Sequence, residues 1–315
     1  MMKVLITGIE GFVGPYIADS LLQDGAEVIG TYLITQRQET HPLNPKITSE
    51  QLDVTDTKAV DALIKKIRPD AIVHLAGFSS VSQSWKHPEL CWKINVEGTR
   101  NLLEAVVRAN INPTILIISS AEVYGKPLRL PITEEHLLNP DSPYGKSRKE
   151  MERLALEYHS SKKLKTIILR SFNHTGPGQM PTFVCSEFAQ QVARIKSGLA
   201  EPVMTVGDFN VQRDFSDVRD IAKAYVLALT ECIPGEIYNV CSGKAYSIKE
   251  ILEKIIRFSG IKITVTQDEA KTRPVNIQVL QGSHEKFSTE TGWRPEIDLS
   301  QTLKDLLEYH LGLLK

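Results

Sequence analysis

The stretch KVLITGIEGFVG, residues 3–14, decides the fold expected of this chain. Residues 3–7 form a short apolar run of the β type, and a helical pattern begins after Gly14. The three glycines between them suit a tight turn, a close backbone approach to a pyrophosphate, and close packing of helix on strand. The stretch predicts a dinucleotide-binding βα unit, and the alternative is a glycine-rich turn with no ligand. The residues expected to contact the dinucleotide are Gly8, Gly11, Phe12, Val13 and Gly14.

Short apolar runs alternate with helical patterns up to residue 172, and the pattern is less regular beyond it. Nearly continuous apolar strands are typical of a parallel sheet that helices cover on both faces. We therefore expect an α/β fold, a Rossmann-type doubly wound parallel sheet with a smaller C-terminal α/β substrate domain. The predicted dinucleotide domain spans residues 1–172 with 213–245 returning to it, and the substrate domain spans 173–212 and 246–315. Predicted strands include 27–32, 71–75, 114–119, 166–170, 203–206 and 237–240, and predicted helices include 96–110 and 144–160.

Composition and charge exclude several classes of function. The chain has 315 residues, 42% hydrophobic and 24% charged, with a formal net charge of -1. This balance gives no general attraction to nucleic acid or to an anionic membrane. The four cysteines lack paired spacing, which argues against a disulfide scaffold and against a metal site. We expect a cytoplasmic protein with no metal, no nucleic-acid partner and no membrane segment.

The end of the second predicted strand bears on the choice of cofactor. Thr31 and Tyr32 lie there. Neither is acidic, whereas NAD-preferring sites have an acidic residue there that hydrogen-bonds the ribose diol. Arg37 follows, and a cation at this place favours a 2′-phosphate, so we expect NADPH with NADH as the alternative. Arg37 could equally be a solvated surface residue.

Two further segments fit the same cofactor by their position at strand ends. Asp53 and Val54 follow a short β-type run and are expected to meet the adenine. Leu75, Ala76 and Gly77 end a strand, where small residues let the backbone pass close to a dinucleotide. The alternative for each segment is simple packing or a turn.

A serine, a tyrosine and a cation make up the predicted catalytic group. Ser119 and Ser120 end one strand, and Tyr144 and Arg148 share a face of the next helix at positions i and i+4. A free tyrosine has a pKa of about 10, and a neighbouring cation stabilises its phenolate. Ser120 would hydrogen-bond a substrate oxygen, and Tyr144 would protonate that oxygen as hydride arrives from the cofactor. Ser119 is expected to contact the cofactor.

These motifs resemble the extended short-chain dehydrogenase/reductase family over essentially the whole chain. The matching segments are TGxxGFVG at the start, LAG at 75–77, SSAEVYG at 119–125 and SPYGKSR at 142–148. Within the family, residues 170–179 (RSFNHTGPGQ) look like the GDP-4-keto-6-deoxy-D-mannose reductases and the GDP-mannose 4,6-dehydratases. The glycine-proline form of this loop is closer to the reductases.

The resemblance implies a GDP-linked deoxyhexose as substrate. It implies that Asn173 touches the substrate diphosphate, that Arg213 and Arg273 clamp it, and that Ser79 contacts the hexose. Guanidinium groups suit phosphate oxygens, although any one of these arginines could be a surface salt bridge. Asn95 would help to orient the tyrosine–cation pair, on the cofactor side. The helices 96–110 and 144–160 would form the interface of a homodimer.

Two positions depart from the family pattern. Arg148 stands where the family has lysine, and Lys149 is rotated by about 100° around the helix, so it does not substitute. Glu122 stands where dehydratase relatives have a glutamate that serves as base, but Ala121 precedes it here. The alternative for Glu122 is a hydrogen bond within its loop.

Four functions follow in order of preference. The first is reduction of the 4-keto group of GDP-4-keto-6-deoxy-D-mannose to GDP-D-rhamnose by NAD(P)H. The second is a GDP-mannose 4,6-dehydratase, and the third is a nucleotide-sugar 4-epimerase. The fourth, a non-catalytic NADP-sensing protein, would need the glycine loop but not the group formed by Ser120, Tyr144 and Arg148.

Overall fold

The computed structural model describes residues 1–33, 43–207, 209–267 and 277–314. Arg37 and Arg273 lie outside the described residues. The strands are β1 (Lys3–Thr7), β2 (Glu27–Tyr32), β3 (Thr48–Gln51), β4 (Ala71–His74), β5 (Thr114–Ser120), β6 (Lys165–Ser171), β7 (Asn173–Thr175), β8 (Val203–Val206), β9 (Gln212–Asp217), β10 (Ile237–Val240), β11 (Ala245–Ser247), β12 (Thr264–Gln267) and β13 (Val279–Leu280).

The helices connect these strands in chain order. They are α1 (Gly14–Gln23), α2 (Thr57–Ile67), α3 (Val81–Lys86), α4 (Pro88–Trp92), α5 (Gly98–Arg108), α6 (Pro143–Lys162), α7 (Val184–Lys196), α8 (Val218–Glu231), α9 (Ile248–Ser259), α10 (Glu285–Thr291) and α11 (Leu299–Gly312). Within the described ranges, none is long and apolar enough to cross a membrane.

The main sheet has seven strands in the order β10-β6-β5-β4-β1-β2-β3, and every pairing is parallel. The order reverses between β1 and β4, which opens a crevice at the carboxyl ends of these two strands. The predicted doubly wound sheet is therefore confirmed, and residues 237–240 return to it beside β6.

Two hydrophobic cores cover the faces of this sheet. Side chains of successive strand residues alternate between the faces, so Val4 and Ile6 join one core while Leu5 joins the other. The core of Val4 contains residues from α1 and α8, and the core of Leu5 contains residues from α2, α5 and α6. Burial on both faces explains why these strands read as continuous apolar runs.

The C-terminal half builds a smaller second layer. Strand β9 pairs with β7, β11 and β13, and β12 pairs with β8. Helices α7, α9 and α11 contribute to a separate hydrophobic core beside these strands.

Two segments lie elsewhere than the predicted division places them. Residues 213–217, expected to return to the main sheet, are part of β9 in the second layer. Phe287 and Trp293, expected in the substrate domain, are buried in the core of the main sheet. The reason is that Phe287 stacks edge-on against Tyr238 of β10, which ties α10 to the returning strand.

The predicted helix 96–110 is not a uniform α-helix. A π-helical turn over Lys93–Glu97 precedes α5. The Thr99 hydroxyl donates a hydrogen bond of 2.6 Å to the Asn95 carbonyl, so a side chain satisfies this backbone acceptor. Such turns are frequent at functional sites, and this one places Asn95 inside the protein with no exposed surface.

A neutral histidine links this turn to the main sheet. His74 is fully buried at the end of β4, with Nδ1 2.8 Å from the Thr7 hydroxyl and Nε2 3.1 Å from the Thr99 hydroxyl. Because the Thr99 hydroxyl donates its proton to the Asn95 carbonyl, Nε2 of His74 must be the donor to that hydroxyl, and Nδ1 must be an acceptor. Burial, with a smaller contribution from Arg148, lowers the pKa of His74 to about 3.

We predict that the free energy of unfolding of His74→Asn falls less steeply with decreasing pH than that of wild type. The unfolded chain protonates this histidine near its ordinary pKa of about 6.5, and the folded chain does so only near 3. Stability from this group is therefore lost as pH falls from about 6.5 toward 3, by up to about 1.4 kcal/mol per pH unit. Urea unfolding of wild type and variant between about pH 7 and pH 5 measures the difference. The exposed His87→Asn is the matched control, and a slope unchanged in His74→Asn would contradict this assignment.

Candidate active site

A cleft of about 950 Å³ opens at the carboxyl end of the main sheet. Its walls come from the loops after β1, β2, β4 and β5, from the start of α6, and from the second layer through Asn173 and Phe215. The carboxyl ends of the parallel strands lie at this edge, which is where a doubly wound sheet binds its ligand.

The glycine loop forms one end of the cleft. Gly8 has a φ of 70°, and a Cβ there would lie 2.8 Å from the Ala76 Cα. A Cβ at Gly14 would lie 2.1 Å from the Ile9 carbonyl oxygen. These two positions therefore exclude side chains, as the pyrophosphate hypothesis requires. The loop leaves the N-terminus of α1 open toward the cleft.

Three hydrogen bonds fix this loop to the end of β2. Gly8 N donates to the Thr31 hydroxyl at 3.2 Å, and Ile9 N donates to the Thr31 carbonyl at 2.9 Å. Leu33 N, just beyond the strand, donates to Oε1 of Glu10 at 2.9 Å. Thr31, Leu33 and Glu10 all line the cleft.

Tyr144 and Arg148 meet in the middle of the cleft. The Arg148 guanidinium carbon lies 5.1 Å from the centroid of the Tyr144 ring, as the i and i+4 spacing predicted. The guanidinium is buried and donates to the carbonyl of Ile118 at 2.8 Å and that of Phe78 at 3.3 Å. Its Nε has no partner, and no carboxylate within the described ranges forms a salt bridge with it.

The start of α6 positions this pair. The Ser142 side chain caps the helix by accepting from Gly145 N at 3.0 Å, and Pro143 takes the first helical position. A Cβ at Gly145 would lie 2.7 Å from the Glu122 carbonyl oxygen. The helix can therefore approach the loop after β5 closely, and Tyr144 and Ser120 line the same cleft.

A buried ion pair anchors the next turns of the same helix. Glu152, two helical turns after Tyr144, pairs with Arg170 of β6 at 2.7 Å, and both side chains are almost fully buried. Ser119 donates a hydrogen bond of 2.5 Å to the same carboxylate. The carboxylate thus joins α6 to the ends of β5 and β6, directly behind the cleft.

Asn95 acts behind the cleft wall and does not line it. Its amide nitrogen donates to the Ser147 hydroxyl at 2.9 Å and to the Phe78 carbonyl at 3.2 Å, and its amide oxygen accepts from Phe78 N at 2.7 Å. Ser147 lies between Tyr144 and Arg148 on α6. The side chain is fully buried, and this geometry fits the orienting role expected of Asn95.

The cleft also carries the groups predicted to meet the sugar nucleotide. Ser79, Ser120, Glu122 and Asn173 all line the cleft. Burial raises the pKa of the Glu122 carboxyl above its ordinary value, and Arg213 partly offsets this rise. Arg213 itself does not line the cleft, because its guanidinium donates to the Gln212 carbonyl at 2.8 Å. Burial lowers the pKa of Arg213, and the negative charge of Glu122 partly offsets this decrease.

A ring contact and a hydrogen bond connect the glycine loop and α1 with the segment that contains β7. The rings of Phe12, in the glycine loop, and His174, in β7, are parallel within 6° with centroids 6.0 Å apart. The Tyr16 hydroxyl donates to the Pro177 carbonyl at 2.8 Å. The loop that would hold the cofactor phosphates therefore touches the loop that would hold the sugar nucleotide.

The structure brings most of the predicted site residues to one cleft. Arg37 and Arg273 lie outside the described residues, and Asn95 and Arg213 lie off the cleft surface. The predicted residues on the cleft surface are Gly8, Gly11, Phe12, Val13, Gly14, Thr31, Asp53, Val54, Leu75, Ala76, Gly77, Ser79, Ser119, Ser120, Glu122, Tyr144, Arg148 and Asn173.

Several residues that line this cleft were not predicted from the sequence, among them Glu10, His174 and Lys93. Glu10 occupies a variable position of the glycine motif, and only its negative charge signalled a role. His174 and Lys93 also line the cleft. His174 lay within the segment that the resemblance had singled out, whereas nothing in the pattern marked Lys93.

Known proteins match this chain over almost its full length. The family described as GDP-mannose 4,6 dehydratase matches residues 5–306. A GDP-6-deoxy-D-mannose reductase from Pseudomonas aeruginosa is 34% identical, over 97% of this chain and 96% of the relative.

Solved structures agree on fold and on the class of cofactor. RMD from Pseudomonas aeruginosa complexed with NADPH superimposes with a TM-score of 0.86 at 32% identity, over 99% of this chain and 100% of that chain. UDP-glucose 4-epimerase from Thermus thermophilus in complex with NAD gives 0.89 at 28% identity, over 99% of both chains. Solved relatives thus hold NADPH or NAD, in agreement with the predicted NADPH with NADH as the alternative. The chain belongs to the GDP-mannose 4,6-dehydratase-like short-chain dehydrogenases/reductases, enzymes that modify nucleotide sugars.

Proposed function

We propose that this enzyme reduces the 4-keto group of GDP-4-keto-6-deoxy-D-mannose with a reduced nicotinamide cofactor, giving GDP-D-rhamnose. The observation that carries the proposal is the Tyr144–Arg148 pair, which faces a single cleft between the glycine loop and Asn173. The 34% identity to a GDP-6-deoxy-D-mannose reductase supports this choice of substrate.

The residues on the cleft divide the work of the reaction. The nicotinamide cofactor supplies the hydride when it is bound. Ser120 donates a hydrogen bond to the keto oxygen and polarises it, and Tyr144 transfers its hydroxyl proton to that oxygen as negative charge develops there. Arg148, packed on the Tyr144 ring, stabilises the phenolate that remains.

Net consumption of reduced cofactor tests the proposal. Purified enzyme with GDP-4-keto-6-deoxy-D-mannose is expected to oxidise one reduced nicotinamide per sugar reduced, whereas GDP-mannose alone is expected to cause no oxidation. Absorbance of the reduced nicotinamide measures the first quantity, and chromatography of the sugar nucleotide measures the second. Tyr144→Phe is the matched control, because it removes only the hydroxyl. Conversion of the keto sugar without net oxidation would refute the reductase.

Glu122 favours GDP-mannose 4,6-dehydratase as the second candidate. Its carboxyl lines the cleft, and its raised pKa suits a group that abstracts a proton near neutrality. A dehydratase returns the hydride to the sugar, so it would convert GDP-mannose with no net change in cofactor. The same assay therefore separates the two reactions.

Arg148 is expected to be essential as a charge and replaceable by lysine. We predict that Arg148→Ala lowers kcat by about 100-fold or more, because the phenolate of Tyr144 loses its only adjacent cation among the described residues. Arg148→Lys is expected to keep kcat within about tenfold of wild type, since it retains the charge. Steady-state kinetics with matched thermal melting curves measure both.

Lys149→Ala is the control for this series. Lys149 is exposed and donates to the Leu138 carbonyl, away from the cleft. Its removal is expected to leave kcat unchanged. Near-normal turnover in folded Arg148→Ala would exclude this guanidinium from the mechanism.

The homodimer through α5 and α6 stays a prediction, and it forms part of this proposal. The two helices pack side by side in one core, and Val107 of α5 is partly exposed. Sedimentation velocity is expected to give twice the mass of one chain, and Val107→Lys is expected to shift the population toward monomer. A monomer in wild type at micromolar concentration would refute the interface.

A further inference from the structure

We infer that Glu10 selects the cofactor at the adenosine ribose, favouring NADH, which the sequence left open as the alternative, over NADPH. The inference rests on the proposed dinucleotide-dependent function and adds a specificity-determining residue to it. NAD-preferring sites have an acidic residue at the end of β2, where this chain has Thr31 and Tyr32. The structure supplies a carboxylate at the same place from the glycine loop.

The position of Glu10 follows from the hydrogen bonds around it. Oε1 accepts from Leu33 N at 2.9 Å, immediately beyond β2. The loop cannot move away from this strand, because Gly8 N and Ile9 N are both bonded to Thr31. The carboxylate is therefore held against the carboxyl end of β2.

The cleft residues on either side identify what this carboxylate faces. The pyrophosphate is expected at the glycine loop and the open N-terminus of α1, and the adenine at Asp53 and Val54. Tyr32, Leu33 and Glu10 line the cleft, and β2 lies between β1, which leads into the glycine loop, and β3, which leads into Asp53. Only the adenosine ribose lies between a pyrophosphate and its adenine, so its hydroxyls face Glu10.

The second carboxylate oxygen is available to the ligand. Within the described ranges, Oε1 accepts the Leu33 hydrogen bond, and Oε2 of Glu10 accepts none from the protein. An ionised carboxylate only accepts hydrogen bonds, which matches a ribose 2′-hydroxyl donor. A 2′-phosphate offers no donor and brings a charge of about -1.5 to -2, so the two groups would repel each other.

Direct binding measurements test the inference without sugar turnover. Isothermal titration calorimetry is expected to show that wild type binds NADH at least about tenfold more tightly than NADPH, equivalent to about 1.4 kcal/mol. Glu10→Gln keeps an acceptor for Leu33 N and removes the charge, so it is expected to tighten NADPH binding and narrow that ratio by about tenfold. Glu10→Lys is expected to reverse the preference.

The controls separate this inference from the competing roles. Glu27→Gln changes a carboxylate at the opposite end of β2 and is expected to leave both affinities unchanged. Arg37→Ala tests the 2′-phosphate role predicted from the sequence. NADPH preference in wild type that is lost in Arg37→Ala, or an unchanged ratio in folded Glu10→Gln, would overturn the inference. Binding of either cofactor without turnover would instead count against the proposed reaction alone.

Discussion

The buried guanidinium of Arg148 is the constraint around which this active site is arranged. It has no salt-bridge partner in the part of the chain that the structure describes, and its Nε is unbonded. A buried unpaired charge costs several kcal/mol, which two backbone carbonyls offset only in part. The neighbouring His74 is neutral, so the positive charge remains concentrated beside Tyr144. The unfavourable burial of Arg148 places a cation next to Tyr144, where it can stabilise the phenolate.

The rest of the main domain keeps that cation in place. The Glu152–Arg170 pair and Ser119 hold α6 against β5 and β6. Asn95 holds the same helix through Ser147 and also holds the Phe78 backbone, which accepts from Arg148. The π-helical turn is what brings Asn95 to this position. The geometry of the Tyr144–Arg148 pair therefore depends on side chains behind the cleft, among them Asn95, Glu152 and Arg170.

The sequence predicted the parts of the structure that rest on local pattern. Residues 203–206 and 237–240 were placed correctly because apolar strands have a short and strong signal. Strand β9 was missed because it carries Arg213 and the buried Asp214, which accepts hydrogen bonds from Ser242, Gly243 and Gly282. Those partners lie 28 or more residues away, and no local pattern reports them. The burial of Asn95 and the reach of Glu10 to Leu33 are invisible to sequence for the same reason.

The residues of the cleft fall into two groups with different roles in the proposed reaction. In the proposed reaction Tyr144, Arg148 and Ser120 move a proton to or from a sugar oxygen, and a reductase, a dehydratase and an epimerase all need that step. Under the proposed function, which reaction follows depends on how Glu122 and Asn173 hold the hexose in the same cleft. The Phe12–His174 stack joins the glycine loop to β7, so the expected sites of the dinucleotide and of the sugar nucleotide adjoin each other.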